Sequence, residues 1–444
     1  MTKNKDIIVF LTDQQRWDTL GCYGQKLNVT PNIDRLAKEG TLFEYAFSCQ
    51  PVCGPARSCI QTGQYATETG CFKNNVSLPQ NIQTIAKFLK NKGYKTAYIG
   101  KWHLASDEND LFIEKPVPYS RRGGYDYWMA SDVLELTSDG HGGGYVFDHN
   151  NNRIDFKGYR ADAIGDFALD YLKKHMVENQ NAPYFLFVSW IEPHHQNNID
   201  KFQGPDYSKN MFGMYEPPGD LIKGAGNWEQ NYADYLGACH SIDKNAGKII
   251  DWLKQNNRLD NTLILFTSDH GCHFKTRNWE YKRTCHDSSI RIPLVAWGGE
   301  FFGRGSCKEL CGLIDIAPTI LYAAGCEIPE YMRGITLQQI VKNSIDRQAL
   351  FIQMSETQVG RAIRTKKWKY SICDPGKDGF RYSYREKYFE SHLYDLENDP
   401  HELNNLITDR NYAAIKKDLR NIILQFIKEV EKYEPEIVKA EDAF

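Results

Sequence analysis

Four short apolar runs rich in β-branched and aromatic residues, at 7–11, 96–99, 184–190 and 263–267, alternate along the chain with stretches of helical apolar spacing at 33–39, 82–91, 161–175 and 242–255. Strands alternating with helices in this way predict an α/β protein, a mainly parallel sheet with helices on both faces. In such sheets, ligands gather beyond the carboxyl ends of the strands. Polar residues follow each run: Asp13 after the first, Lys101 and His103 after the second, His194 after the third, Asp269 and His270 after the fourth. Four separate strands therefore carry metal-binding or acid–base side chains to one edge.

Beyond about residue 361 the texture shifts to short strand-like pieces at 368–373, 380–384 and 392–396, followed by an amphipathic helix over 412–433. The division this predicts is a main domain over 1–350 and a smaller α+β subdomain over 351–444. The stretches 120–144 and 197–226, rich in Gly, Tyr, Asp and Pro, read as loops over the strand ends, where specificity elements reside. No internal repeat or low-complexity tract interrupts the chain.

Composition narrows the function. With 444 residues, 54 Lys+Arg against 57 Asp+Glu and no basic block, bulk electrostatic binding of nucleic acid or of an anionic membrane surface is not expected. No stretch reaches the roughly 20 apolar residues of a membrane span. The polar segment 1–6 lacks the pattern of a secretory signal, so the chain reads as cytoplasmic. In a reducing compartment its 12 cysteines are expected to be mostly buried thiols.

Cys53 is the exception. It opens Cys53-Gly54-Pro55-Ala56-Arg57-Ser58-Cys59-Ile60-Gln61-Thr62-Gly63, in which Pro55 stiffens the turn and Arg57 places a permanent cation nearby. The apolar residues after it can start a helix, whose N-terminal end favours an anionic nucleophile. Cys59 has no such context and reads as structural. Asp13-Gln14 and Asp269-His270, each at a strand end, offer carboxylates, an amide and an imidazole that can converge on one divalent ion together with residue 53. Gly100-Lys101-Trp102-His103, Pro193-His194-His195 and Lys282, nine residues before Arg291 in Arg291-Ile292-Pro293-Leu294, complete the set.

This ordered series resembles the type I sulfatases of the alkaline phosphatase superfamily, over residues 6–430. The resemblance implies an alkaline-phosphatase-like mixed, mainly parallel sheet. It also implies a sulfuric ester hydrolase whose Cys53 is oxidised after translation to formylglycine by a formylglycine-generating or anaerobic sulfatase-maturing enzyme. The metal site it implies is Asp13, Gln14, residue 53, Asp269 and His270, with Ca2+ the family's usual ion. A neutral amide and a nitrogen donor keep Mn2+ and Mg2+ open.

The roles implied are as follows. Arg57, Lys101 and Lys282 neutralise sulfate oxygens, His103 is the base that collapses the sulfated intermediate, and His194, with His195 as substitute, assists the leaving oxygen. His286 and Asp287, standing where relatives often carry tyrosine and glutamate, are candidates to face the substrate. Departures from the family pattern are Ala56 for serine, Gln64 for arginine and Gln196 for the proline that ends the His194 motif. The expected substrate is a small sulfated molecule, a sugar by loop composition and family frequency. The Asp-Gln and Asp-His pairs also resemble those of choline sulfatases and phosphonate monoester hydrolases, which makes a phosphorus ester the alternative. A non-catalytic binder of sulfated glycans would have lost some of these residues, and none is missing.

Overall fold

The computed structural model describes residues 5–376 and 378–440; most of the polar segment 1–6 lies outside them. Seven strands frame the site: β1 (Asp6–Thr12), β2 (Thr41–Phe47), β3 (Lys95–Lys101), β4 (Tyr127–Ser131), β5 (Tyr184–Ser189), β6 (Thr262–Ser268) and β7 (Leu294–Trp297). They belong to a 12-stranded sheet in the order β2-β7-β6-β1-β5-β3-β4, continued at its edges by five further strands. From β6 to β4 the pairing is parallel, and β7 runs antiparallel to both neighbours. β1, at the centre, is buried along its whole length, which explains its unbroken apolar run.

Helices cover both faces. Pro31–Glu39, Arg160–Glu178 and Trp228–Gln255 lie over one apolar layer, and Cys53–Thr62, Ile85–Asn91 and Ile316–Ala323 over the other. The Trp228–Gln255 helix starts 14 residues before the periodic stretch at 242. Its first half is buried against aromatic residues of the 197–226 stretch, expected as a loop but containing the short helix Ser208–Phe212, rather than against the sheet. The second helix starts late, at Ile85, because Thr84 caps it by accepting from Lys87 N.

Two readings are corrected. Residues 120–144 are not a loop: they contain β4, paired in parallel with β3, and the short helix Leu134–Thr137. Glycines on either side obscure the strand's brief Tyr-Trp-Met-Ala-Ser run, but Trp128 and Ala130 are fully buried. Residues 380–384 are not a strand. Asp378 folds them into a turn by accepting from the Phe380 and Arg381 backbone amides, and the alternating Phe380, Tyr382 and Tyr384 are exposed.

A separate five-stranded sheet, Leu350–Met354, Val359–Arg364, Trp368–Asp374, Lys387–Asp395 and Glu436–Val438, carries the helix Ala413–Glu431. No helix among the described residues is long and apolar enough to cross a membrane. Among the described residues all 12 cysteines are free, and Cys59 is fully buried.

Candidate active site

Cys53 is the first residue of the Cys53–Thr62 helix, and its side chain is buried at the carboxyl edge of the sheet. Around its Sγ stand Lys282 Nζ at 2.9 Å, His270 Nε2 at 3.3 Å and Asp13 Oδ1 at 3.4 Å. Burial by itself opposes a thiolate here, but the Lys101 and Lys282 ammonium groups and a hydrogen bond with His103 outweigh it and hold the thiol well below its ordinary range.

Asp13, Cys53, Asp269 and His270 each present one ligand atom, all within 4.8 Å of one another. His270 Nδ1 lies 3.0 Å from the Gly271 carbonyl, which can only accept, so the ring's proton sits there and Nε2 keeps its lone pair for the cluster. Burial and the Asp13 charge push Asp269 upward, the crowding of carboxylates that a divalent cation relieves. Burial and Cys53 push Asp13 the same way, yet Lys101, His194 and Arg57 prevail and keep it ionised. These donors fit a divalent metal. Gln14 is tied to the cluster by its backbone N–H, which donates to Asp269 Oδ1 at 3.1 Å, while its side-chain nitrogen donates to Cys272 Sγ.

Arg57 is turned to the carboxylates. Its guanidinium reaches Asp269 Oδ2 at 3.2 Å, Asp13 Oδ2 at 3.0 Å, and the Lys101 carbonyl and Ser189 Oγ each at 2.7 Å. With four donors so engaged, it braces the ligands rather than offering a free grip to a sulfate oxygen. Lys101 Nζ sits 2.8 Å from Asp13 and 3.2 Å from Glu135. Lys282 Nζ also lies 3.1 Å from both His194 Nε2 and His270 Nε2.

The Gly100-Lys101-Trp102-His103 turn is tied to the segment after β4. Trp102 N and His103 N donate to the carbonyls of Ser131 and Asp132, and the Asp132 carboxylate accepts from the amides of Leu104, Ala105 and Ser106. Gly100 sits at φ 106°, and a Cβ there would lie 2.0 Å from the Ser189 carbonyl oxygen, so no other residue lets β3 pass β5 at this point.

His194 and His195 part ways. His194 points at Lys282, Asp13 and Glu135. His195 stacks on Tyr281, its ring centroid 4.1 Å away, and reaches Asn197 and Asp200. His286 and Asp287 are drawn away from the Cys53 cluster. His286 is buried against Tyr394, and Asp287 is spent on Arg364 and Lys369 of the C-terminal sheet while lining a separate cleft of about 220 Å³ with Arg16, Trp17 and His401. Reading the 120–144 stretch as a loop concealed Glu135 and Asp132; the only available signal was an acidic residue soon after a short apolar run.

The family model for sulfatases matches residues 5–326, and that for the N-sulphoglucosamine sulphohydrolase C-terminal region matches 276–429. The chain belongs to the sulfatase family. Among sulfatases similar to it are the N-acetylglucosamine-6-O-sulfatase of Bacteroides thetaiotaomicron, 26% identical over 98% of this chain and 88% of that protein, and an ulvan-active sulfatase of Formosa agariphila, 30% identical over 93% and 79%. The structure of yidJ from Bacteroides fragilis superposes with a TM-score of 0.84 at 26% identity, covering 97% of each chain. The sulfatase fold is also shared with BT4656, solved in complex with its substrate D-glucosamine-2-N,6-O-disulfate, at a TM-score of 0.78 and 24% identity over 98% of this chain and 99% of that one.

Proposed function

We infer that this sulfatase hydrolyses the sulfate monoester of a sulfated sugar, using a formylglycine made from Cys53. The observation that carries the reading is the convergence of Asp13, His270 and Lys282 within 3.4 Å of Cys53 Sγ. The sugar is supported by the names of the relatives, an N-acetylglucosamine-6-O-sulfatase and ulvan-active sulfatases.

Asp13, Asp269, His270, the Gln14 amide oxygen and residue 53 would hold the divalent ion, Ca2+ by the family's habit and Mn2+ or Mg2+ by the nitrogen donor. That ion would supply Lewis-acid polarisation and a template for the sulfate group. Once converted, residue 53 would supply two geminal hydroxyls, one to attack sulfur and one to expel sulfate afterwards.

The rest of the work falls to this chain's own side chains. Lys101 and Lys282, both buried, face the oxygens of a sulfate held at residue 53, and their charges count for more there than at the surface. His194 stands on the Lys282 side with Nε2 inward, placed to give a proton to the departing alcohol. His103 keeps Nδ1 without a hydrogen-bond partner and is placed to take the proton when sulfate is expelled. Arg57 holds the Asp13 and Asp269 carboxylates in place.

The test is a desulfation screen over sulfated mono- and disaccharides, with aryl and steroid sulfates, aryl phosphate and phenylphosphonate esters as comparators, after intact mass has shown loss of the thiol. Turnover of a sugar sulfate that disappears in Cys53→Ala supports the reading. A marked preference for phosphorus esters, or full turnover by Cys53→Ala, overturns it.

A further inference from the structure

Among the described residues, Glu135 is a carboxylate outside the proposed metal ligands that lies against both Lys101 and His194. It lies in the short helix Leu134–Thr137 just after β4, is 8% exposed, and has both oxygens engaged. Oε1 accepts from Asn197 Nδ2 at 2.7 Å. Oε2 lies 3.2 Å from Lys101 Nζ and 3.8 Å from His194 Nδ1. That Nδ1 is buried and has no hydrogen-bond partner, while Nε2 of the same ring faces Lys282 at 3.1 Å. The ring is thus set between a carboxylate behind it and the nucleophile's surroundings in front.

The link to the chain's own sequence runs through Gln196. Where the family pattern ends the His194 motif in proline, Gln196 Nε2 donates to the Glu135 carbonyl at 2.8 Å, and Arg160 Nη1 donates to its amide oxygen at 3.2 Å. Together with Asn197, this residue pins the Leu134–Thr137 turn against the His194 loop.

We propose that Glu135 is the positioning residue for His194, fixing its ring with Nδ1 toward the carboxylate and Nε2 toward the leaving oxygen, with Gln196 and Asn197 holding Glu135 in place. Resting on the sulfatase reading above, it assigns no proton to Glu135 itself. Nε2 accepts from the Lys282 ammonium at 3.1 Å in the free enzyme; when a bound sulfate draws Lys282 onto its oxygens the ring takes a proton from solvent, and that Nε2 proton passes to the departing oxygen as its bond to sulfur breaks, Glu135 staying ionised throughout. An opposite charge behind an imidazole favours the proton on the near nitrogen and stabilises the ring when it is charged.

The measurement is kcat on two substrates of the converted enzyme: a sugar sulfate, whose alkoxide leaving group needs a proton, and a nitrophenyl sulfate, whose phenolate does not. Glu135→Gln is expected to lower kcat on the sugar sulfate by about 10- to 100-fold with little change in KM, and on the nitrophenyl ester by less than about threefold. Glu135→Asp should recover part of the loss. In a His194→Asn background the same substitution should change nothing further. Partial misfolding scales both kcat values alike, so the ratio between substrates reads the role directly. Equal loss on both substrates, or a loss that multiplies with that of His194→Asn, overturns the proposal and shifts the effect to Lys101. Wild-type enzyme inactive on both esters would instead refute the sulfatase reading.

Discussion

Arg57 Nη2 lies 3.0 Å from Asp13 Oδ2, with both side chains shut off from solvent. The same guanidinium reaches Asp269, so one cation spans the two carboxylates that face the metal position. A buried charge deprived of its partner costs about 3–5 kcal/mol. Arg57→Ala should therefore lower unfolding stability by about that amount in denaturant titrations, and weaken metal affinity by roughly 10- to 100-fold in chelator competition, as loss of an outer partner of metal ligands does. Unchanged metal affinity would show that Arg57 serves some purpose other than bracing these ligands.

Removing the ion should be felt in folding as well as in turnover. Asp269 is pushed up by burial and by Asp13, and a bound cation relieves that strain. Chelator-treated protein is expected to lose turnover and recover it with Ca2+, Mn2+ or Mg2+. At about 100 times the dissociation constant, the effective ion should add about 2.7 kcal/mol to unfolding stability. Comparing the three ions by thermal unfolding identifies the preferred one, and stabilisation by none of them would argue against a metal at this cluster.

The Asp132 carboxylate holds three consecutive backbone amides just beyond His103, at 2.8–3.0 Å. Asp132→Ala leaves those donors buried and unpaired, each costing about 1–3 kcal/mol where water cannot reach it. The expected result is lower stability together with a kcat loss of at least about 10-fold, since His103 is no longer held in register. Steady-state kinetics alongside denaturant titration checks both, and normal kcat in a destabilised variant would confine Asp132 to a scaffolding role.

Burial holds His273 down at about 4, its ring packed beneath the loop that carries Lys282 and within 3.2 Å of the Lys282 carbonyl. The unfolded chain takes up this proton near pH 6.5 and the folded one only near 4. The His273 contribution is thus fully present above about pH 6.5 and is lost as pH falls toward 4, by at most about 1.4 kcal/mol per unit. Denaturant titrations from pH 7 to 4 should show this slope, and His273→Gln should flatten it by about one proton. An unaltered slope would assign acid sensitivity to other groups, His392 first among them, because burial depresses it in the same way.

How much could be foreseen depended on how far each signal reached along the chain. β1, β3, β5 and β6 were legible because strands buried on both faces must be continuously apolar, and the side chain just past each one then lies at the sheet edge. Asp13, Lys101, His194 and Asp269 could be named from that rule alone, and the order of the motifs around them was enough to suggest the family. β4 escaped because its Tyr-Trp-Met-Ala-Ser run sits among glycines and charged residues, and only pairing with β3 makes a strand of it. Glu135 and Asp132 were hidden with it. Nearness of His286 and Asp287 to Lys282 in sequence says nothing of direction: the C-terminal sheet, far along the chain, supplies the partners of both.

Chemistry carried on neighbouring residues was therefore settled by the sequence itself: a cysteine opening a helix beside an arginine, and acid–base groups at strand ends. Tertiary structure alone decided which carboxylate serves which cation, that Arg57 faces Asp13 and Asp269, and that Glu135 stands behind His194. Those pairings join segments dozens to hundreds of residues apart, and no local pattern of hydrophobicity or charge encodes the distance at which two remote side chains meet.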